Sequence, residues 1–231
     1  MSSTEKAKRL KEARRHDVMQ AAVRVFLARG VQAATMAEIA REAGVSKGSL
    51  YLYFASKDDL YLSIAIAWLA ELQVKLDEVS AARHKSALEL MRAAAKVYVR
   101  HALASPGHFQ VIMSWLNTAY SLDERTPLFS EYRAAIAHKH AFMTAAIDAA
   151  KEDGSLRSQQ PSARILVQLW GAVVGLLLVE QNSLEMARRL PVSPPTSGIC
   201  EAFIDNFIAY LAVEAHEPVR LQSVSQAGSK S

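Results

Sequence analysis

The stretch TMAEIAREAGVSKGSLYLYFASK, residues 35–57, reads as two short helices joined by a tight turn, with a third helix following at once. Thr35 can cap the helix that starts at Met36, and Glu38 stands where a capping box places its acid. Met36, Ile39, Ala40 and Ala43 recur at i, i+3, i+4 and i+7, an apolar face of helical period. Gly44 falls where the chain leaves that helix, a left-handed position that costs glycine little. Ser46 can cap the second helix, and Leu50 and Phe54, one turn apart, give it an inward face. Ser56 with Asp59 forms another serine-to-acid pair that opens the third helix. A helix, a glycine turn and a short helix with polar outward residues make a helix-turn-helix, the device that lays a helix in the DNA major groove.

The outward residues suit that task. Lys47 can neutralise a phosphate or reach a guanine edge. Gly48 has no side chain, so the amides of the helix start can approach a phosphate closely. Ser49 is short and both donates and accepts, while Tyr51 and Tyr53 offer a hydroxyl for phosphate and a ring for sugar or thymine methyl. Lys57 starts the next helix near the same backbone. Thr35 and Tyr53 are expected to hold mainly phosphate, with Ser46 at the start of the reading helix; Lys47 and Ser49 are the candidates for base edges. The competing reading is a three-helix packing unit with a glycine turn and an ordinary polar surface.

The run at residues 18–60 resembles the N-terminal domain of the TetR family of bacterial transcriptional regulators. The resemblance is carried by Ala22, Phe26, Gly30, Thr35, Ile39, Ala40, Gly44, Val45, Ser46, Gly48, Leu50, Tyr51, Tyr53, Phe54, Lys57 and Leu60. The segment GVSKGSLYLYFASKDDL is specific to that family in a way a lone glycine turn is not. Two small departures are Ser49, where threonine is commoner, and Leu52 between the two tyrosines. Beyond this part the resemblance extends only to helical architecture and length. It implies a dimeric regulator that binds a roughly palindromic double-stranded DNA operator and is released by a small-molecule effector. In that mechanism the ligand favours a spacing of the two DNA domains that no longer matches successive grooves.

Charge divides the chain in the same place. Residues 1–57 hold 11 Lys and Arg against 5 Asp and Glu, whereas residues 58–231 hold 16 against 18. The basic end is therefore the nucleic-acid end. Much of the excess lies in KAKRLKEARR, residues 6–15, which could track phosphates or enter a minor groove; a solvated, helix-friendly tail is the other reading. The chain of 231 residues, 51% hydrophobic, can bury a sizeable core. No apolar run of 18 or more residues lacks a polar interruption, so no membrane span is expected. The N-terminus is polar with no apolar signal stretch, and Cys200 is the single cysteine, so a cytoplasmic location is expected.

Strand signals are nearly absent, and the expected fold is all-α with about nine helices. The expected division is a helix-turn-helix domain at residues 1–56, a larger helical ligand-binding and dimerisation domain at 57–216, and a disordered tail at 217–231. The fourth helix, about 57–80, joins the two domains without a flexible linker. Later helices are expected at about 84–104, 107–121, 127–154, 161–186 and 199–215. The eighth is apolar around most of its circumference, which demands burial on all sides. The family resemblance implies that the eighth and ninth helices pair with their copies, through Trp170, Val174, Leu178, Phe203, Phe207 and Leu211; an ordinary monomer core is the alternative.

Tyr98, His101, Phe109, Met113, Trp115, Phe142, Met143 and Trp170 lie on helices that could enclose a mostly apolar ligand cavity, although aromatic and Met residues at helical spacing are more often plain core. His138 and His140, two apart, point to different faces of one helix, so no metal site is expected. No cofactor is expected beyond an unidentified small-molecule effector. There is no GxSxG, GxxxxGK[ST] or HExxH motif, and Ser3–Lys6 matches S-x-x-K only in a frayed terminus, so no enzymatic activity is expected. Two further readings are a constitutive or architectural DNA binder and a regulator controlled by a protein partner.

Overall fold

The computed structural model describes residues 3–114, 122–182, 188 and 198–212. Nine helices occur among them: α1 (Ser3–Arg29), α2 (Met36–Glu42), α3 (Lys47–Tyr51), α4 (Lys57–Ala81), α5 (Ala87–Ala104), α6 (Pro106–Met113), α7 (Pro127–Glu152), α8 (Ser162–Gln181) and α9 (Ile199–Ala212). No strand occurs among the described residues. Local chemistry sets the starts. Thr35 and Glu38 form the capping box of α2, and Ser46 and Ser56 accept from the amides of Ser49 and Asp59 at the starts of α3 and α4. Ser86 does the same for α5 through Glu89, so α5 begins three residues later than its composition predicts. Gly44 ends α2 at φ +64°, a left-handed conformation that a side chain would strain.

The first three helices close over Ala22, Phe26, Ile39, Leu50 and Phe54, all nearly inaccessible to solvent. This small core is continuous with the larger one, because α4 leaves the first unit through buried Leu60 and Ile64 and enters the second through Trp68, Leu69 and Leu72. Arg15 fastens α1 to that passage: its Nη2 donates to Ser63 Oγ at 2.8 Å and its guanidinium stands 4.9 Å from the Phe54 ring centroid. Helices α4, α5 and α7 pack on one another, α8 packs on α7, α5 and α9, and α9 lies along α5. Lys96–Asp205 at 2.8 Å and Arg100–Glu201 at 2.8 Å cross the α5–α9 seam.

By length and composition, α8 could cross a membrane. Its Ile165, Leu169, Val173 and Leu177 are instead buried against neighbouring helices, while Val167, Gly171 and Gly175 are exposed. Two expected dimer residues, Val174 and Leu211, are likewise buried within this single chain, at 4% and 2% exposure. The helical period turns them toward the α8–α9 contact rather than outward. The open face is formed by Val167, Gly171, Gly175 and Tyr210, with Leu178 and the stacked, half-buried Phe203 and Phe207 beside it. Trp115, the second half of the expected sixth helix, most of the 188–198 connection and the tail at 217–231 lie outside the described residues.

Candidate nucleic-acid interface and internal cavity

The capping chemistry that forms α2 and α3 also fixes the polar groups on their outer surface. Thr35 is exposed, and its hydroxyl donates to Glu38 Oε2 at 2.9 Å while accepting from the Glu38 amide at 3.2 Å. The Thr35 hydroxyl and the Thr35 amide, which also donates to Glu38 Oε2 at 3.0 Å, hold the Glu38 carboxyl below its usual range, with Arg29 and Arg41 adding to the effect. Ser46 caps α3, and its hydroxyl shares a 2.8 Å bond with Ser49 Oγ. Lys47, Gly48 and Tyr51 are exposed on the same short helix, and Tyr53 is half-buried beside it. A Cβ on Gly48 would meet nothing closer than Ser46 Oγ at 3.9 Å, so the helix start is open to an approaching surface. Leu52 is 79% exposed between the tyrosines, an apolar group that the sequence pattern did not place on this face.

Lys57 also makes bonds within the chain. Its Nζ donates to the carbonyls of Gln32 at 2.7 Å and Ala34 at 3.0 Å. The ammonium thus satisfies carbonyls in the turn between α1 and α2 and locks α4 to that turn.

A second feature lies between α4, α5, α6, α7 and α8. These helices line a cavity of about 350 Å³ that opens to solvent. Trp68, Leu72 and Leu76 line it from α4, Tyr98 from α5, Ile112 and Met113 from α6, and Leu166, Leu169, Trp170 and Val173 from α8. From α7 come Tyr132, Ile136 and Met143, with Lys139 and His140 as the basic groups. The wall runs along α4 from Trp68 to Leu76 and along α7 from Tyr132 to Met143, so it is about 12–16 Å long at 1.5 Å per residue. Burial lowers the Lys139 ammonium below its ordinary range, opposed by the nearby Asp77 carboxylate. Burial likewise pushes the Tyr98 and Tyr132 hydroxyls up, so both are neutral donors at physiological pH.

Of the expected cavity residues, Tyr98, Met113, Met143 and Trp170 line the space, whereas His101, Phe109 and Phe142 do not. Trp68 intervenes for two of them: its ring lies 4.4 Å from His101 and 6.3 Å from Phe109. His101 Nε2 faces the Trp68 carbonyl at 3.0 Å and Nδ1 faces Lys75 Nζ at 2.9 Å. A carbonyl only accepts and an ammonium only donates, so the ring is neutral with its proton on Nε2. Burial lowers the His101 pKa, aided by Lys75 and His108 and opposed by Glu71 and the Trp68 bond; burial also lowers that of His108. A histidine pKa below its unfolded value gives stability that is present above about pH 6.5 and lost as pH falls. Thermal melts are therefore expected at lower temperature at pH 5.5 than at pH 7.5, with a shallower dependence in His101→Gln; identical slopes would contradict this.

The cavity is tied to the first three helices through α6. Ile112 and Met113 face the cavity, and the Ile112 carbonyl accepts from Tyr61 Oη at 2.9 Å. At the other end of α6, a Cβ on Gly107 would stand 3.0 Å from Leu27 Cδ1 and 3.4 Å from Val23 Cγ1, so α6 and α1 are in close contact. His108 Nε2 lies 3.3 Å from Gln20 Nε2 on α1, and Trp68 Nε1 donates to Ser105 Oγ at 2.9 Å. His138 and His140 are both exposed to solvent, and only His140 also borders the cavity.

Residues 18–64 match the family described as bacterial regulatory proteins, tetR family. The chain is 44% identical over 66 residues to the HTH-type transcriptional regulator HbdR of Aromatoleum sp. (strain CIB), a match that covers 26% of this chain and 29% of that protein. It is 29% identical over 171 residues to the HTH-type transcriptional repressor BepR of Brucella suis biovar 1, covering 72% of this chain and 79% of BepR. The fold matches that of FadR from Bacillus subtilis, solved in complex with stearoyl-CoA, with a TM-score of 0.65 at 14% identity over 87% of this chain and 99% of that one. These matches and the helix-turn-helix make residues 18–64 a DNA-binding domain of the tetR family of bacterial regulatory proteins, on a chain whose helical fold is that of such regulators.

Proposed function

We propose that the protein is a homodimeric, cytoplasmic repressor that binds a palindromic operator through α3 and is released when a small molecule enters the cavity. The division at residue 57 would then separate DNA reading from ligand sensing and dimerisation. The observation that carries this reading is the connection of the cavity to α1 through α6. A ligand that displaces Met113 or Ile112 pushes on a helix whose other end rests against Val23 and Leu27. The ligand acts only through its differential affinity for the two arrangements. The open apolar face of α8 and α9 supports dimerisation, since Gly171 and Gly175 leave room for a partner's backbone. Two-fold symmetry would set two copies of α3 about 34 Å apart, matching successive major grooves.

The cavity also limits the effector. Its walls are almost wholly apolar, with Lys139 and His140 as the only charged or titrating basic groups among the lining residues. An extended sp³ chain advances about 1.2 Å per bond, so the cavity length suits an acyl chain of about ten to thirteen carbons. An anionic or strongly polar head would sit at Lys139 and His140. That the structurally similar FadR was solved with stearoyl-CoA supports an acyl-type ligand. The DNA half of the proposal is tested by fluorescence anisotropy at fixed salt, with a duplex enriched from a random pool by the protein itself. Binding about a thousandfold tighter than to a scrambled duplex is the expected result. Equal, salt-sensitive binding to both would favour an architectural binder, and no binding to either would reject the reading of α3.

A further inference from the structure

N-terminal to Val18, the first helix continues with no core to cover. Residues 4–17 are exposed throughout, and they hold six Lys and Arg against Glu5, Glu12 and Asp17. At 3.6 residues per turn, the stripe that buries Val18, Met19, Ala22 and Phe26 continues outward as Arg15, Lys11 and Lys8. Lys6 and Arg9 point to the other sides of the helix.

The direction of this extension follows from two ion pairs. Arg24 meets Glu42 at 2.7 Å and Arg29 meets Glu38 at 3.7 Å, so α1 runs antiparallel to α2. The N-terminal part of α1 therefore passes the C-terminal end of α2 and the Gly44 turn, from which α3 departs. Arg15, packed on Phe54 just beyond α3, marks the last anchored residue of the stripe. Lys11 and Lys8 lie about 6 and 10 Å farther out along the axis. Lys11 and Lys8 thus extend the exposed, basic part of α1 beyond the point where Arg15 meets Phe54.

We infer that the N-terminal extension of α1 is a second DNA-binding element, which sets Lys8 and Lys11 on phosphates flanking the site read by α3. The inference rests on the DNA-binding reading of α3 and adds a contact that carries no base sequence. Because the segment is already helical, binding does not have to order it, unlike a flexible basic arm. The charge is complementary to one negative charge per 1.7 Å of duplex.

The test compares Lys8→Gln/Lys11→Gln with the charge-matched Lys6→Gln/Arg9→Gln in the full-length protein. Glutamine keeps the helical propensity of lysine, so circular dichroism should match wild type. Affinity is measured against salt on the enriched duplex and on the scrambled one. The Lys8/Lys11 variant is expected to bind both at least about tenfold more weakly, with a salt slope shallower by about 4 for the four phosphate contacts of a dimer. The Lys6/Arg9 variant should lose less than about threefold, through the general field alone. Equal losses in the two variants would reduce the effect to net charge and overturn the inference, as would an unchanged Lys8/Lys11 variant. If Lys47→Ala removes the preference for the enriched duplex while the Lys8/Lys11 variant binds like wild type, α3 keeps its role and the inference about α1 falls.

Discussion

Replacing Lys47 with alanine is expected to weaken binding to the enriched duplex at least about thirtyfold while leaving thermal stability and oligomeric state unchanged. Lys47 is exposed on the first turn of α3, so its removal costs no packing and leaves the Ser46 cap intact. A side chain that contacts a base edge is worth about 1–3 kcal/mol, and a dimer loses two such contacts. The two sites lie a helical turn of DNA apart, so their losses add. The salt dependence identifies the type of contact. A base contact is lost from the enriched duplex and hardly from the scrambled one. A phosphate contact is lost from both, and the slope falls by about 2 across the dimer. Wild-type affinity in this variant would mean that α3 does not face the DNA.

Replacing Ala95 with phenylalanine is expected to abolish the response to an effector while preserving DNA binding. Ala95 is 7% exposed and lines the cavity from α5. Its new ring would occupy the space between Trp68, Tyr98 and the α7 wall. Overpacking a filled core costs about 1–3 kcal/mol, but here the ring enters an existing void. Stability should therefore change little. Effector binding followed by calorimetry should weaken at least about tenfold, since each methylene excluded from an apolar site forfeits about 0.8 kcal/mol. Affinity for the enriched duplex should stay within about twofold, because Ala95 is remote from α3 and such distant effects are nearly independent. A variant that no longer binds the effector but still releases DNA in its presence would place the sensing site elsewhere.

The helix-turn-helix was legible because its signals are local. Thr35 with Glu38, Gly44 and the Ser46 cap each act within one turn, and each has the partner its spacing implies. The bonds of Lys57 were not legible, because its partners, the carbonyls of Gln32 and Ala34, lie more than twenty residues away. The cavity was only partly legible for the same reason. Tyr98, Met113 and Trp170 face it, but Trp68, Leu72, Leu76, Lys139 and His140 had no pattern to separate a void-facing side chain from a core one. Trp68 in particular stands between the cavity and His101. The same limit applies to Val174 and Leu211: an apolar helix shows that it must be covered, not which side a partner covers.

The central claim is that occupation of the cavity controls DNA binding, and a competition titration tests it most directly. Wild-type protein bound to the labelled enriched duplex is titrated with saturated fatty acids of eight to sixteen carbons and with stearoyl-CoA, while calorimetry reports whether each probe binds. The account predicts that probes that bind release the duplex at concentrations near their own dissociation constants, with chains near ten to thirteen carbons best among the fatty acids. A probe that binds the cavity of wild type but not of Ala95→Phe, yet leaves the anisotropy unchanged, would contradict it.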